Sequence, residues 1–238
     1  MKLFLVSFSA LVSLAVHAQI SAPGREEKVP VMTNFRMWGG ISGSDAELDG
    51  NWQLNVNETT ESNTITGALG GGVGMHLGVQ IEMFDILHAD VLWQGGNMNA
   101  LRFPGIIDQR IQLRNLRFRV GVDLLQNDMF SWYFFMGIHQ ATLDVNTLKT
   151  DSTGAFITES LVFRSKVPNF NMGTGAMMFF KDESAGIIFE VGYQDAALKP
   201  HEYSRYGDGA GTTAPTGDLT LRAFEGRIGL AVRLNTRK

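Results

Sequence analysis

Ile65-Thr66-Gly67-Ala68-Leu69-Gly70-Gly71-Gly72-Val73-Gly74-Met75-His76-Leu77-Gly78-Val79-Gln80-Ile81 is the stretch that decides the fold. Its odd positions hold Ile65, Leu69, Val73, Met75, Leu77, Val79 and Ile81, with Gly67 and Gly71. Its even positions hold only small or polar residues, among them His76 and Gln80. Successive side chains of a β-strand point to opposite faces, so this period of two predicts a strand with one apolar face.

Seven more segments repeat the pattern. Phe35, Met37 and Ile41 oppose Asn34, Arg36 and Ser42; Leu87, Ala89, Val91 and Trp93 oppose His88, Asp90 and Gln94. Leu116, Phe118, Val120, Val122 and Leu124 oppose Asn115, Arg117, Arg119 and Asp123, and Phe130 to Ile138 on even positions oppose Ser131, Tyr133, Gly137 and His139. Later segments set Phe170, Met172, Ala176, Met178 and Phe180 against Asn169 and Asn171, and Ile187, Phe189, Val191 and Tyr193 against Glu190 and Gln194. Phe224, Ile228, Leu230, Val232 and Leu234 close the series against Glu225, Arg227 and Arg233.

The connectors alternate in length. Those at 82–84, 126–128 and 181–184 are short, and those at 44–63, 95–109, 144–166 and 195–217 are long and polar. Short turns at one end and long loops at the other describe an all-β, transmembrane, eight-stranded antiparallel up-and-down β-barrel, with both termini on the periplasmic side. A soluble barrel would direct its large apolar residues inward and cover its outside with lysine, glutamate and threonine. Here the polar face is glycine, histidine, arginine and amide, while Lys149, Lys166, Lys181 and Lys199 fall in connectors or at strand ends. Trp93, Trp132 and Tyr193 are expected in the aromatic girdles of such a barrel.

Composition agrees with one β domain. Charged residues are 18% of the chain against roughly 25% in an average domain, glycine outnumbers proline by 27 to 6, and cysteine is absent. The last fact excludes disulfides, thiol catalysis and cysteine metal sites. A net charge of −4 argues against nucleic acid as a partner. Residues 1–18 combine Lys2, a short apolar run and Ala18, which resembles a secretory signal peptide cleaved after Ala18. Residues 19–33 read as a polar periplasmic tail and 34–235 as the barrel, in a bacterial outer membrane.

The runs Gly74-Met75-His76-Leu77-Gly78-Val79 and Val91-Leu92-Trp93-Gln94-Gly95-Gly96 resemble the second hairpin of the Bacteroidetes-type porin family of outer-membrane β-barrel proteins. Asn171 to Ala176, Phe189 to Tyr193 and Gly226 to Leu234 carry the same resemblance onward, while Leu234 stands where the family's terminal aromatic residue is expected. The resemblance implies an eight-stranded barrel in the outer membrane. It also admits an accessory barrel of a type IX-like secretion complex, with an envelope protein as partner beside outer-membrane lipid.

Arg36, Arg117, Arg119, Arg227 and Arg233 share inward parity with Asp90, Asp123, Glu190 and Glu225, and His76 and His88 join them. Buried charges must find partners, so these residues are expected to form a lumen polar network. If the first short turn is 82–84, His76 stands opposite Asp90, which admits either a hydrogen-bonded pair or a metal site. No catalytic constellation and no cofactor are expected, and the role expected of the barrel is structural, binding or weakly permeating. A lipid-modifying enzyme needs a histidine, a hydroxyl and an acid exposed to lipid, yet His139 has inward parity and Thr142 the opposite one. Asp49-Gly50, in a run resembling half a calcium loop, reads as a turn.

Overall fold

The computed structural model describes residues 32–56, 59–83, 86–98, 106–127, 129–150, 154–165, 168–180, 184–206 and 216–235. The expected signal peptide lies outside these residues. So does most of the expected tail, although its last two residues, Met32 and Thr33, already belong to the first strand.

Nine strands follow in order: β1 (Met32–Val56), β2 (Thr59–Met83), β3 (Leu87–Met98), β4 (Ile106–Gln126), β5 (Phe130–Thr150), β6 (Phe156–Ser165), β7 (Asn169–Phe179), β8 (Ala185–Tyr206) and β9 (Thr216–Asn235). Strands β1 to β5 pair in sequence, and β9 pairs with β8 and back onto β1, so the sheet closes on itself. In the lower half, where every strand is paired on both sides, closure leaves no edge, which is how a β-sheet can cross a bilayer with its backbone groups satisfied.

The nine strands fill eight places. Both β6 and β7 lie between β5 and β8: β6 against 142–150 and 198–206, β7 against 130–139 and 186–195. They are one wall strand broken near Pro168, whose ring removes a backbone donor. Side chains take over there. The Ser165 hydroxyl accepts from the Ala141 amide at 2.9 Å and donates to the Ala141 carbonyl at 3.2 Å. Asn169 donates to Ser165 Oγ at 2.7 Å and accepts from the Ala197 amide at 2.9 Å.

From Val73 to Ile81 and in the other alternating segments the apolar residues face outward, with Val73 and Phe224 each 70% exposed, and the charged ones face the lumen. The strands run far past the expected segments, however. A bilayer needs about 9–11 tilted residues per strand, whereas β1 and β2 have 25 each and β8 has 22. Much of the sequence expected as long loops is therefore wall.

On β4 and β1 side-chain parity continues through these extensions while chemistry inverts, whereas register shifts interrupt it on β2 and between β6 and β8. On β4, Arg119, Arg117 and Asn115 point inward and are followed by Leu113 and Ile111, while outward Phe118 and Leu116 give way to Arg114 and Arg110. On β1, inward Arg36 and Ser42 give way to Ala46 and Leu48, and outward Met37 and Ile41 give way to Asp45, Glu47 and Asp49. The upper half thus has a polar outside and an apolar core of residues such as Leu48, Met98, Leu113, Leu143, Phe163 and Leu221. Asp49-Gly50 is not a turn: β1 passes straight through, and Gly50 sits at φ 149° with its missing Cβ directed 2.3 Å from the Asp218 carbonyl oxygen.

Ser165→Ala and Asn169→Ala should each lower stability by about 1 kcal/mol, the ordinary net value of an intramolecular hydrogen bond. Because the two side chains share one bond, the double variant should cost less than the sum. Equilibrium unfolding of the barrel in bilayers measures both.

Candidate functional site

Below the apolar core, the lumen is built from arginines, carboxylates, amides and aromatic rings. Its glycines make room for the rings. Trp38 pairs across the sheet with Gly78, Tyr133 with Gly175, Phe135 with Gly173 and His88 with Gly121. A Cβ on any of these glycines would fall 2.0 to 2.5 Å from the ring atoms beside it. Each ring occupies the space a Cβ on its neighbour would take, which is why a narrow lumen can hold them.

Six of the sequence-derived residues form one chain of alternating charge. Arg119 Nε donates to Asp90 at 2.6 Å, and its two terminal nitrogens grip Glu190 at 2.9 and 3.0 Å. Glu190 also accepts from Tyr133 at 2.8 Å and from Arg227 at 2.7 Å. Arg227 reaches Glu225 at 2.5 Å, and Arg117 closes on both Glu225 oxygens at 2.6 and 2.7 Å. Gln94 accepts from Arg117 and Arg227, and Gln194 accepts from Arg117. The Arg119 guanidinium lies 4.1 Å from the centre of the Phe135 ring, a stacking contact that adds to its ion pairs.

The other sequence-derived residues stand nearer the short turns. Arg36, fully buried, pairs with Glu82 at 2.5 Å, and Asn34 and Gln126 donate to the same carboxylate. Asp123 accepts from Ser131 at 2.5 Å, with His88 Nδ1 3.8 Å from its other oxygen. Arg233 lies over the Phe179 ring at 3.7 Å.

Two expectations need correction. Glu82 is strand, not turn, and it is Arg36's carboxylate; its even parity with His76 and Gln80 was the signal that could have found it. The turn is centred two residues later than expected, so Asp90 faces Gln80, His76 faces Gln94, and His88 faces Glu82. The pairing of His76 with Asp90 does not form, and neither His76 nitrogen has a hydrogen-bond partner among the described residues. Among those residues no group of three or more histidine, aspartate or glutamate side chains is placed to hold a metal ion. Sequence parity also missed the inward apolar residues Trp38, Leu92, Phe135, Met177, Phe179 and Ile188, which pack between the charged groups.

The arrangement is electrically closed. Five arginines (36, 117, 119, 227 and 233) face five carboxylates (Glu82, Asp90, Asp123, Glu190 and Glu225), all buried. Mixed signs at contact distance neutralise one another, whereas an ion-selective constriction uses a ring of one sign.

Comparison with known proteins places the fold. No protein-family model matches the chain, and no curated protein matches it. Among solved structures, the outer membrane protein OprG from Pseudomonas aeruginosa superposes with a TM-score of 0.52 at 13% identity, covering 87% of this chain and 98% of that one. AlkL in lipid bilayers gives a TM-score of 0.41 at 8% identity, over 92% and 97% of the two chains. Ail of Yersinia pestis gives 0.37 at 10% identity, over 82% and 99%. The similarity to OprG shows that the fold is that of an outer-membrane β-barrel.

Glu190→Ala should destabilise the barrel by about 3–5 kcal/mol, because it leaves Arg119 and Arg227 buried without their shared carboxylate. Lys199→Ala, which breaks an exposed pair with Asp218, should cost no more than about 1 kcal/mol. Unfolding midpoints of the two variants measured in the same bilayers give the comparison.

Proposed function

We propose that this chain is an outer-membrane barrel of the Bacteroidetes-type porin family, exported by residues 1–18 and maturing at Gln19. Its role is structural or binding, exercised through its outer surfaces and its tall upper wall. The observation that carries this reading is the filled lumen: a charge-neutral ionic network in the lower half and an apolar core in the upper half. Eight strands enclose a space that side chains fill, and a water-filled channel requires about twice that number.

Catalysis is not part of the proposal. His139 is buried inside the wall while Thr142 faces outward, so this hydroxyl does not stand beside that imidazole. An envelope protein partner, including the accessory role in a secretion complex, is favoured by one feature. The last β2–β3 pair is Gly72 with Met98, so among the described residues β2 from Thr59 to Gly71 is paired on its β1 side alone. An open strand edge accepts an extended segment of another protein.

Purified barrel in planar bilayers should show no steady conductance. Large, reproducible single-channel steps would overturn the filled-lumen reading. On intact cells, protease should cut a tag placed within 207–215 and spare one at 126–128; the opposite pattern would invert the topology.

A further inference from the structure

On the β4 and β5 side of the wall, the outward apolar series ends beneath two arginines that stand in one row. On β4, the exposed Phe118 and Leu116 are followed by Arg114 as the next outward residue. On β5, the exposed Ile138 is followed by Gln140 and Thr142. Thr142 has Arg114 as its cross-strand partner on one side and Arg164 of β6 on the other. Neighbouring strands lie about 4.8 Å apart, so the two arginine backbones are about 10 Å apart with a hydroxyl side chain between them.

The guanidinium groups are what this surface presents. Arg114 and Arg164 are 53% and 49% exposed, whereas Asp144, which pairs with Arg114, is 11% exposed. Arg164 donates to His201 Nε2 at 2.8 Å, and the Glu202 carboxylate approaches it only to 3.7 Å, beyond hydrogen-bond length. On β9 and β1 the same boundary carries the opposite sign. Above Phe224, Arg222 stands between Asp195 and Glu47 as cross-strand partners, and Asp45 precedes Glu47 on the outward face of β1, so three carboxylates accompany one guanidinium.

We propose that the row Arg114, Thr142 and Arg164 binds a phosphate of the phosphorylated, multiply acylated saccharolipid that faces the exterior in an outer membrane, the lipid A class. The row lies at the end of the apolar band away from the short turns, which is the exterior end in the topology given above. Each guanidinium can offer a phosphate two parallel donors, and the Thr142 hydroxyl can donate between them. Acyl chains of the same lipid then run down over Leu116, Phe118 and Ile138. Acyl contact alone follows from a membrane location; the row adds a fixed seat on one sector of the wall and a requirement for phosphate. The inference rests on the membrane reading given above.

The test titrates the full barrel, purified in a mild nonionic detergent, with phosphorylated lipid A and counts bound lipid by native mass spectrometry. The wild type should hold one lipid A and keep it against excess phosphatidylglycerol or inorganic phosphate. Arg114→Gln combined with Arg164→Gln should weaken binding about tenfold or more, the equivalent of one hydrogen bond to a charged group. Thr142→Glu, which leaves both arginines in place and sets a carboxylate between them, should do the same, and it decides alone if the double variant does not fold. Arg222→Gln should leave binding unchanged. The proposal is overturned if wild type holds no lipid A, if lipid A stripped of its phosphates binds equally well, or if phosphatidylglycerol or inorganic phosphate displaces it. It is equally overturned if either row variant, once folded, binds like wild type, or if Arg222→Gln weakens binding as much as they do. Failure of the wild-type barrel to insert into liposomes would instead refute the membrane reading.

Discussion

Glu190 held between Arg119 and Arg227 is the interaction on which the rest of the lumen depends. An arginine keeps its charge under any ordinary condition, so once the wall fixes Arg119 and Arg227 inside the ring, a carboxylate must stand within reach of each. The polar outer face of a soluble barrel is not available in the lower half, where the outside is apolar, and polar side chains have only the lumen to occupy. Among the described residues arginine rather than lysine supplies every buried cation, because its planar fork can hold one carboxylate with two donors and another with the third. Arg119 does this with Glu190 and Asp90.

The ion pairs also tie together strands remote in the chain. Arg117 on β4 meets Glu225 on β9, 108 residues away, and Arg36 on β1 meets Glu82 on β2. A slip of one residue in any of these strands would turn a charge outward and leave its partner alone, so the network and the ring's register enforce each other. The rings of Trp38, Tyr133 and Phe135, each lying over a glycine, supply the apolar packing between the charged groups.

Where the sequence was legible, it was legible through parity. In the lower wall the period of two assigned faces correctly, since alternation and inward burial are the same physical fact read twice; in β2 the register shifts opposite Ala46 and Glu47, so the alternation counted from Ile65 does not carry through to Val73. It failed where chemistry inverts without a change of parity. After Ser42 the inward positions become Ala46 and Leu48 and the outward ones Asp45 and Glu47, which reads as the end of a strand although the backbone continues to Val56. The same inversion concealed the upper halves of β4, β5, β8 and β9. Lumen partners were harder still. Parity told that Arg36 faces in, but its partner Glu82 was hidden by a turn placed two residues early, and the reach of Arg117 to Glu225 depends on curvature that no local pattern carries.

The central claim is that the lumen charges act as one enclosed, mutually neutralising unit, and a double-mutant cycle on Arg119 and Glu190 tests it most directly. Arg119→Met, Glu190→Leu and the combined variant would be unfolded in the same bilayers as wild type. The account predicts that removing both charges costs less than the sum of the single losses, with a coupling of about 1–3 kcal/mol. Costs that simply add, with no coupling, would mean that each charge is solvated by water on its own and that the lumen is not closed.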